Sequence, residues 1–292
     1  MPHRLIFRRR SLLKCCDTWA EHLRSLPDRW DIQRGTRAWT KETLKFIASR
    51  RSNRPPDCSF STERNFMKTI LAMGAHYDDC IFGVPGVLLQ AVRKNYRVVT
   101  LHMIGDYTNW PPAGGRAVAK MTMELSAARG VEAMFMDFAS HRFDARLENQ
   151  IVVAEAVAKI KPDIAFALWK EDNHNDHMVA SELSRIALRH AGRILGDESY
   201  RPPKDIYFYD NGPRHTIGFQ PNTFVDVSDE WEEAMEWLGK LNSWVSEKAF
   251  RKGQTIGSMT TKESLARYRG ATCGARYAEA FWNPTFRKTD IL

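Results

Sequence analysis

From residue 67 onward, short runs of apolar residues alternate with stretches whose apolar positions recur at helical spacing. Ile70 to Met73 is apolar throughout rather than alternating, the pattern of a parallel strand covered on both faces. Arg97 to Ile104, Met134 to Phe138 and Asp163 to Trp169 read as further strands, with Ile206 to Tyr209 and Thr223 to Val227 after them. Between the strands, Ala117 to Arg129 (ended by Gly130 at a C-cap) and Glu148 to Ile160 (closed by Lys161-Pro162) read as helices. Val179, Leu183, Ile186 and Ala187 mark another helix, and Glu230 to Phe250 is mainly helical. Gly105 to Gly115, rich in Gly, Pro and Asn, reads as a long loop. Such alternation predicts βαβ units, hence an α/β fold with a mostly parallel sheet flanked by helices.

The first 66 residues follow a different pattern. Leu12, Cys16, Trp19, Leu23 and Leu26 fit an amphipathic helix, and Thr40 is placed to cap a second one, with Trp39 and Leu44 as its staple. Ser52 to Phe66, with Pro55-Pro56, reads as a linker. We therefore expect two parts: residues 1–66, a basic helical N-terminal extension and linker, and residues 67–292, the main body. The extension is expected to pack on the body or on a second copy in a homo-oligomer, with a membrane- or nucleic-acid-binding arm and an extension of little role as the alternatives.

Charge sharpens this division. The net charge of +8 over 292 residues suggests a nucleic-acid binder at first sight. Residues 1–66 hold 15 Lys and Arg against 7 Asp and Glu, and the remainder holds 28 of each. The body is neutral, so no nucleic-acid partner is expected for it. An apolar content of 43% implies a real core. No apolar run reaches the roughly 18 residues of a membrane span, and Leu5-Ile-Phe7 is too short for a signal-peptide core. Five cysteines without CxxC spacing point to a reducing, cytoplasmic location.

The candidate chemistry sits where two strands end. Gly74 and Ala75 turn the chain after the first run, and His76, Asp78 and Asp79 emerge at its carboxyl end, where open α/β sheets bind ligands. The Asp163 run ends in Asn173-His174-Asn175-Asp176-His177. Catalytic zinc commonly takes three N and O ligands and keeps a position for water. His76 and Asp79, three apart on a strand-to-helix turn, can share a cavity, and His177 can supply the third ligand. Asp78 is placed as a base. His174 and His177 lie on one helical face; the helix N-terminus disfavours a protonated His174 unless a carboxylate, with Asp176 the candidate, stands near. Arg116, after Gly114-Gly115, can hold an anionic or polyol part of a substrate. The tryptophans at 231, 237 and 244 read as a packed helical face, and Cys80 as a small buried residue. His102 and His141 read as structural or substrate-contacting.

These residues carry a family resemblance. Ala75-His76-Tyr77-Asp78-Asp79, followed by Gly83 and Gly86, resembles the A/P-H-P-D-D motif of the PIG-L/LmbE-like N-acetylglucosamine deacetylases. His174-Asn175-Asp176-His177 resembles that family's H-x-D-H. Arg269-Gly270 and Cys273 to Phe281 resemble its C-terminal box. The resemblance implies a Rossmann-like fold and a Zn2+ cofactor held by His76, Asp79 and His177. It implies that Asp78 is the general base, that His174 stabilises the oxyanion or acts as acid, and that Asp176 orients His174. Metal-bound water would attack the acetamide carbonyl, with Asp78 or His174 returning a proton to the amine. The chain departs from the pattern at Tyr77, Cys80, Pro85, Met121 and Ser140-His141.

The expected function is thus zinc-dependent removal of an acetyl group from an N-acetylglucosamine-type or related N-acyl amino sugar conjugate, a small-molecule partner. Two other classes stand beside it. A non-catalytic binding protein on a deacetylase scaffold would use the basic arm. An iron oxygenase also uses two His and one carboxylate, although on a different fold.

Overall fold

The computed structural model describes residues 67–107 and 115–285, except the side chains of residues 115 and 116. The helices, linker and boundary expected over residues 1–66, most of the 105–115 loop and the Arg116 side chain lie outside the described residues.

The chain runs β1 (Thr69–Gly74), α1 (Asp79–Gly83), α2 (Pro85–Arg93), β2 (Arg97–Asp106), α3 (Gly115–Ala127), β3 (Val131–Ala139), α4 (Leu147–Ile160) and β4 (Ile164–Leu168). It continues with α5 (Asn175–Leu195), β5 (Asp205–Tyr209), β6 (Thr223–Asp226), α6 (Trp231–Val245), α7 (Ser258–Cys273) and β7 (Ala278–Trp282). The seven strands form one sheet in the order β3-β2-β1-β4-β5-β7-β6. The first five are mutually parallel, and β7 runs antiparallel to both β5 and β6. This is the mostly parallel α/β sheet that the apolar runs predict.

Leu71, Ala72, Met73, Ala165 and Ala167 are completely buried, as strands covered on both faces require. Helices α4 and α5 pack together as one group, while α2, α3 and α7 each contact α6. Trp231 and Trp237 of α6 are buried and Trp244 packs on the core, which bears out the packed-face reading. The observed α6 stops at Val245, short of the expected Phe250; Ser246 caps it, and Glu247 follows at φ +54°. Neither α7 nor β7 is anticipated by the apolar pattern.

The order reverses at β1: β2 and β3 lie on one side of it, β4 and β5 on the other. Such a switch point opens a crevice at the carboxyl ends of β1 and β4, where doubly wound sheets bind ligands.

Candidate active site

Two turns and one helix N-terminus build the site. After β1 the backbone closes on a carboxylate: Asp79 Oδ2 accepts the amides of Ala75 and His76, each at 2.7 Å. A Cβ on Gly74 would stand 2.7 Å from that of Asp79, so the tight turn requires glycine there. The loop is clamped from β2. Buried His102 donates through Nδ1 to the His76 carbonyl (2.7 Å), leaving Nε2 to accept from Thr100 Oγ1 (3.1 Å). Burial lowers the His102 pKa to about 4, partly offset by that carbonyl, which keeps the ring neutral.

The second turn precedes α5. Asp172 Oδ1 accepts the His174 amide (2.7 Å), and His174, the N-cap, accepts the Asp176 amide on Nδ1 (3.2 Å). That bond places the proton of the neutral His174 ring on Nε2. The His174 and His177 rings stack 4.7 Å apart, as one helical face demands.

The two turns bring His76, Asp79 and His177 together. His76 Nδ1 lies 3.1 Å from His177 Nε2, His177 Nε2 lies 3.3 Å from Asp79 Oδ1, and His76 Nδ1 lies 3.6 Å from Asp79 Oδ2. Three ligands on a tetrahedral zinc with bonds of about 2.0–2.1 Å stand roughly 3.3–3.4 Å apart. Two imidazole nitrogens and a carboxylate at this separation fit a divalent cation. A ring nitrogen of His174 also comes within 4.8 Å of those of His76 and His177. Its Nδ1, however, is taken by the Asp176 amide.

The electrostatics point the same way. Burial lowers the pKa of His76, but Asp176 and Asp79 outweigh it and raise the group to about 9. Burial likewise opposes protonation of His177, yet Asp79 and Asp172 raise it to about 10. A cage whose carboxylates favour protonated imidazoles is built for positive charge. Asp172 Oδ1 lies 3.1 Å from His177 Nδ1, at an angle that falls short of a hydrogen bond.

Asp78 makes a different use of its surroundings. Burial, then the charge of Asp79, pushes its carboxyl up to about 6. His174 goes the other way, lowered to about 4 by burial and by the charges of His76 and His177. The Asp176 carboxylate faces His76 rather than His174. It accepts Ser140 Oγ (2.7 Å) and the His141 amide (2.9 Å) and lies 3.3 Å from His76 Nε2. It therefore orients His76; the part of Asp176 that touches His174 is the main-chain amide. Those contacts hold its carboxyl down at about 2 against the opposing effect of burial.

A cavity of about 490 Å³ opens above this cluster, lined among others by Tyr77, Asp106, Tyr107, Arg142, Asn211 and His215. The sequence reading misses three members of the site. Asn211 donates to Asp79 Oδ1 (2.7 Å), Asp172 backs His177, and His215 faces Asp172 (Nδ1 to Oδ1, 3.8 Å). Asn211 sits just past the carboxyl end of β5, so the strand-end rule applied a third time would find it. Cys80 is buried against Tyr209, Sγ to hydroxyl 3.7 Å, as a core residue.

Comparisons with known proteins bear on the fold and the family. Residues 71–188 match the PIG-L family, described as GlcNAc-PI de-N-acetylase. The uncharacterized deacetylase YaiS of Escherichia coli is 23% identical over 182 residues, 60% of this chain and 90% of YaiS. Among solved structures, a conserved protein from Thermus thermophilus superposes with a TM-score of 0.64 at 22% identity, over 77% of this chain and 98% of that one. The N,N'-diacetylchitobiose deacetylase of Pyrococcus horikoshii gives 0.59 at 20% identity, over 74% and 83%. GalB of Pseudomonas putida, a 4-carboxy-2-hydroxymuconate hydratase, gives 0.64 at 17% identity, over 77% and 100%. These likenesses carry the fold; the site must carry the chemistry.

Proposed function

Because the chain carries a PIG-L family domain over residues 71–188, we propose that it is a zinc-dependent N-deacetylase, an amide hydrolase acting on an N-acetylglucosamine-type or related N-acyl amino sugar conjugate. The observation that supports this most is the convergence of His76, Asp79 and His177 within 3.1–3.6 Å of one another beside a carboxyl poised near neutrality. His76, Asp79 and His177 would hold the zinc, which when bound supplies a Lewis acid and a water that ionises near neutral pH.

The chain's own groups divide the rest of the work. Asp78, with a pKa of about 6, takes a proton from the attacking water as general base and returns it to the departing amine as general acid. His174, neutral with its proton on Nε2, offers that N–H to the developing oxyanion. Asp176 positions His76, and Asp172 backs His177, as carboxylates behind ligating imidazoles do. The cavity of about 490 Å³ suits a sugar-sized ligand.

An acetate-release assay of the zinc-loaded protein against a panel of N-acetylglucosamine conjugates, with and without chelator, tests the proposal. Release from at least one conjugate that stops on chelation is expected. No release from any member would refute a deacetylase of this substrate class.

A further inference from the structure

The rim of the cavity carries a side chain that the proposed reaction leaves unused. His141 follows β3 with its backbone in the left-handed region, φ +59°, a conformation easiest for glycine. Its amide donates to Asp176 Oδ1, and its ring stacks on His174, centroids 5.0 Å apart and 18° from parallel. Its Nδ1 stands 3.8 Å from Asp176 Oδ1, too far for a hydrogen bond. One ring nitrogen of His141, one of His174 and a carboxylate oxygen of Asp176 lie within 4.8 Å of one another.

We propose that His141, His174 and Asp176 form a second, weaker divalent-cation site of the zinc type, whose occupancy inhibits the enzyme. Two imidazoles and a carboxylate are the donor set a borderline cation selects. A gap of 3.8 Å closes to the roughly 3.3–3.4 Å of zinc ligands by a small rotation of His141, whose side chain is 66% exposed. Asp176 Oδ2 is taken by Ser140, whereas Oδ1 accepts the His141 amide and keeps a second lone pair. The site is weaker than the first because the exposed His141 ring must be fixed and the one lone pair of neutral His174 must be taken from the Asp176 amide, while Asp79 and His177 are buried and already held. Asp172, His177 and His215 also lie within 4.8 Å, but His177 presents there only Nδ1, the back of a ring whose Nε2 faces the first site.

Binding at the second site stands apart from the deacetylase reading; inhibition rests on it, since a cation on His174 withdraws that ring from the oxyanion. Equilibrium dialysis of the full chain against zinc, with bound metal counted by emission spectrometry, tests the site directly. Wild type is expected to bind one zinc more per chain than His141→Ala and His141→Gln, the additional zinc filling at about tenfold higher free zinc or more. Acetate release by wild type falls several-fold across that second range, and release by both variants does not. Equal stoichiometry in wild type and both variants overturns the proposal, as does a fall in activity that both variants share. Two zincs on wild type, one on each variant and no acetate from any conjugate would retire the deacetylase reading and leave the second site standing.

Discussion

Asp78 and Asp79 are adjacent in sequence and opposite in chemistry. Asp79 accepts two amides and faces two imidazoles, so despite its burial the charges of His177 and His76 hold its carboxyl well below the usual range. For Asp78, burial and the charge of Asp79 outweigh the weaker pull of His76 and His177 and drive it up to about 6. One residue is thereby fixed as an anion and the other left able to exchange a proton, the division expected of a ligand and a base. Asp78→Asn is expected to keep its zinc and lose about 10²- to 10⁴-fold in kcat, with metal content and turnover measured on the same sample; full activity would exclude Asp78 as the base. His76, Asp78, Asp79, His174 and His177 are legible from sequence because each lies within a few residues of an apolar run that must be a buried strand. The orientation of Asp176 is not. It depends on Ser140 and His141, which β3 brings in from some 35 residues upstream.

At the level of elements, the helix behind the first turn is held from the far end of the chain. Glu279 of β7 accepts the amides of Gly86 and Val87, each at 3.0 Å, in the first turn of α2, and buried Lys262 of α7 pairs with it at 3.1 Å. Lys262 also donates to the Gly83 carbonyl at the end of α1 (3.0 Å). One carboxylate thus caps α2 and neutralises a buried ammonium. Glu279→Ala leaves that charge unpaired and is expected to cost about 3–5 kcal/mol, with Glu279→Gln milder because the amide oxygen still accepts; urea unfolding of the two variants compares them. Equal, small losses would show that the pair contributes little. This network ties residues likened to a C-terminal box to the helices behind a site they do not touch. It also explains why α7 and β7 are hard to read. The pairing of β7 with β5 and β6 is non-local, and α7 buries Lys262 beside Met259 and Ala266, which blurs its amphipathic pattern.

For the whole molecule, the reversal of strand order at β1 collects the ends of β1, β3, β4 and β5 around one cavity. Strands β1, β2, β4 and β5 are legible from sequence because their apolar runs are the sheet's interior, and β3, partly exposed at the edge, still carries an apolar run. The cost of that convergence is a cluster of buried charges, and it makes the metal-free protein sensitive to pH. His76 and His177 titrate near 6.5 when unfolded and at about 9 and 10 when folded. Groups raised on folding stabilise fully below the unfolded value and cease to do so above the folded one. Thermal melts of the metal-free protein should therefore lose stability as pH rises from about 6.5 to 10. With zinc the sign reverses, because the cation must displace those protons, so its affinity and the stability it confers grow over the same range. Parallel melting curves at every pH, with and without zinc, would contradict this linkage.

The proposed hydrolysis requires His76, Asp79 and His177 to share one cation. Anomalous diffraction at the zinc edge, from crystals of the protein loaded with a single equivalent of zinc, measures this most directly. One peak is expected, about 2.0–2.2 Å from a ring nitrogen of His76, a ring nitrogen of His177 and an oxygen of Asp79. A peak elsewhere, or one that lacks any of these three ligands, would contradict it.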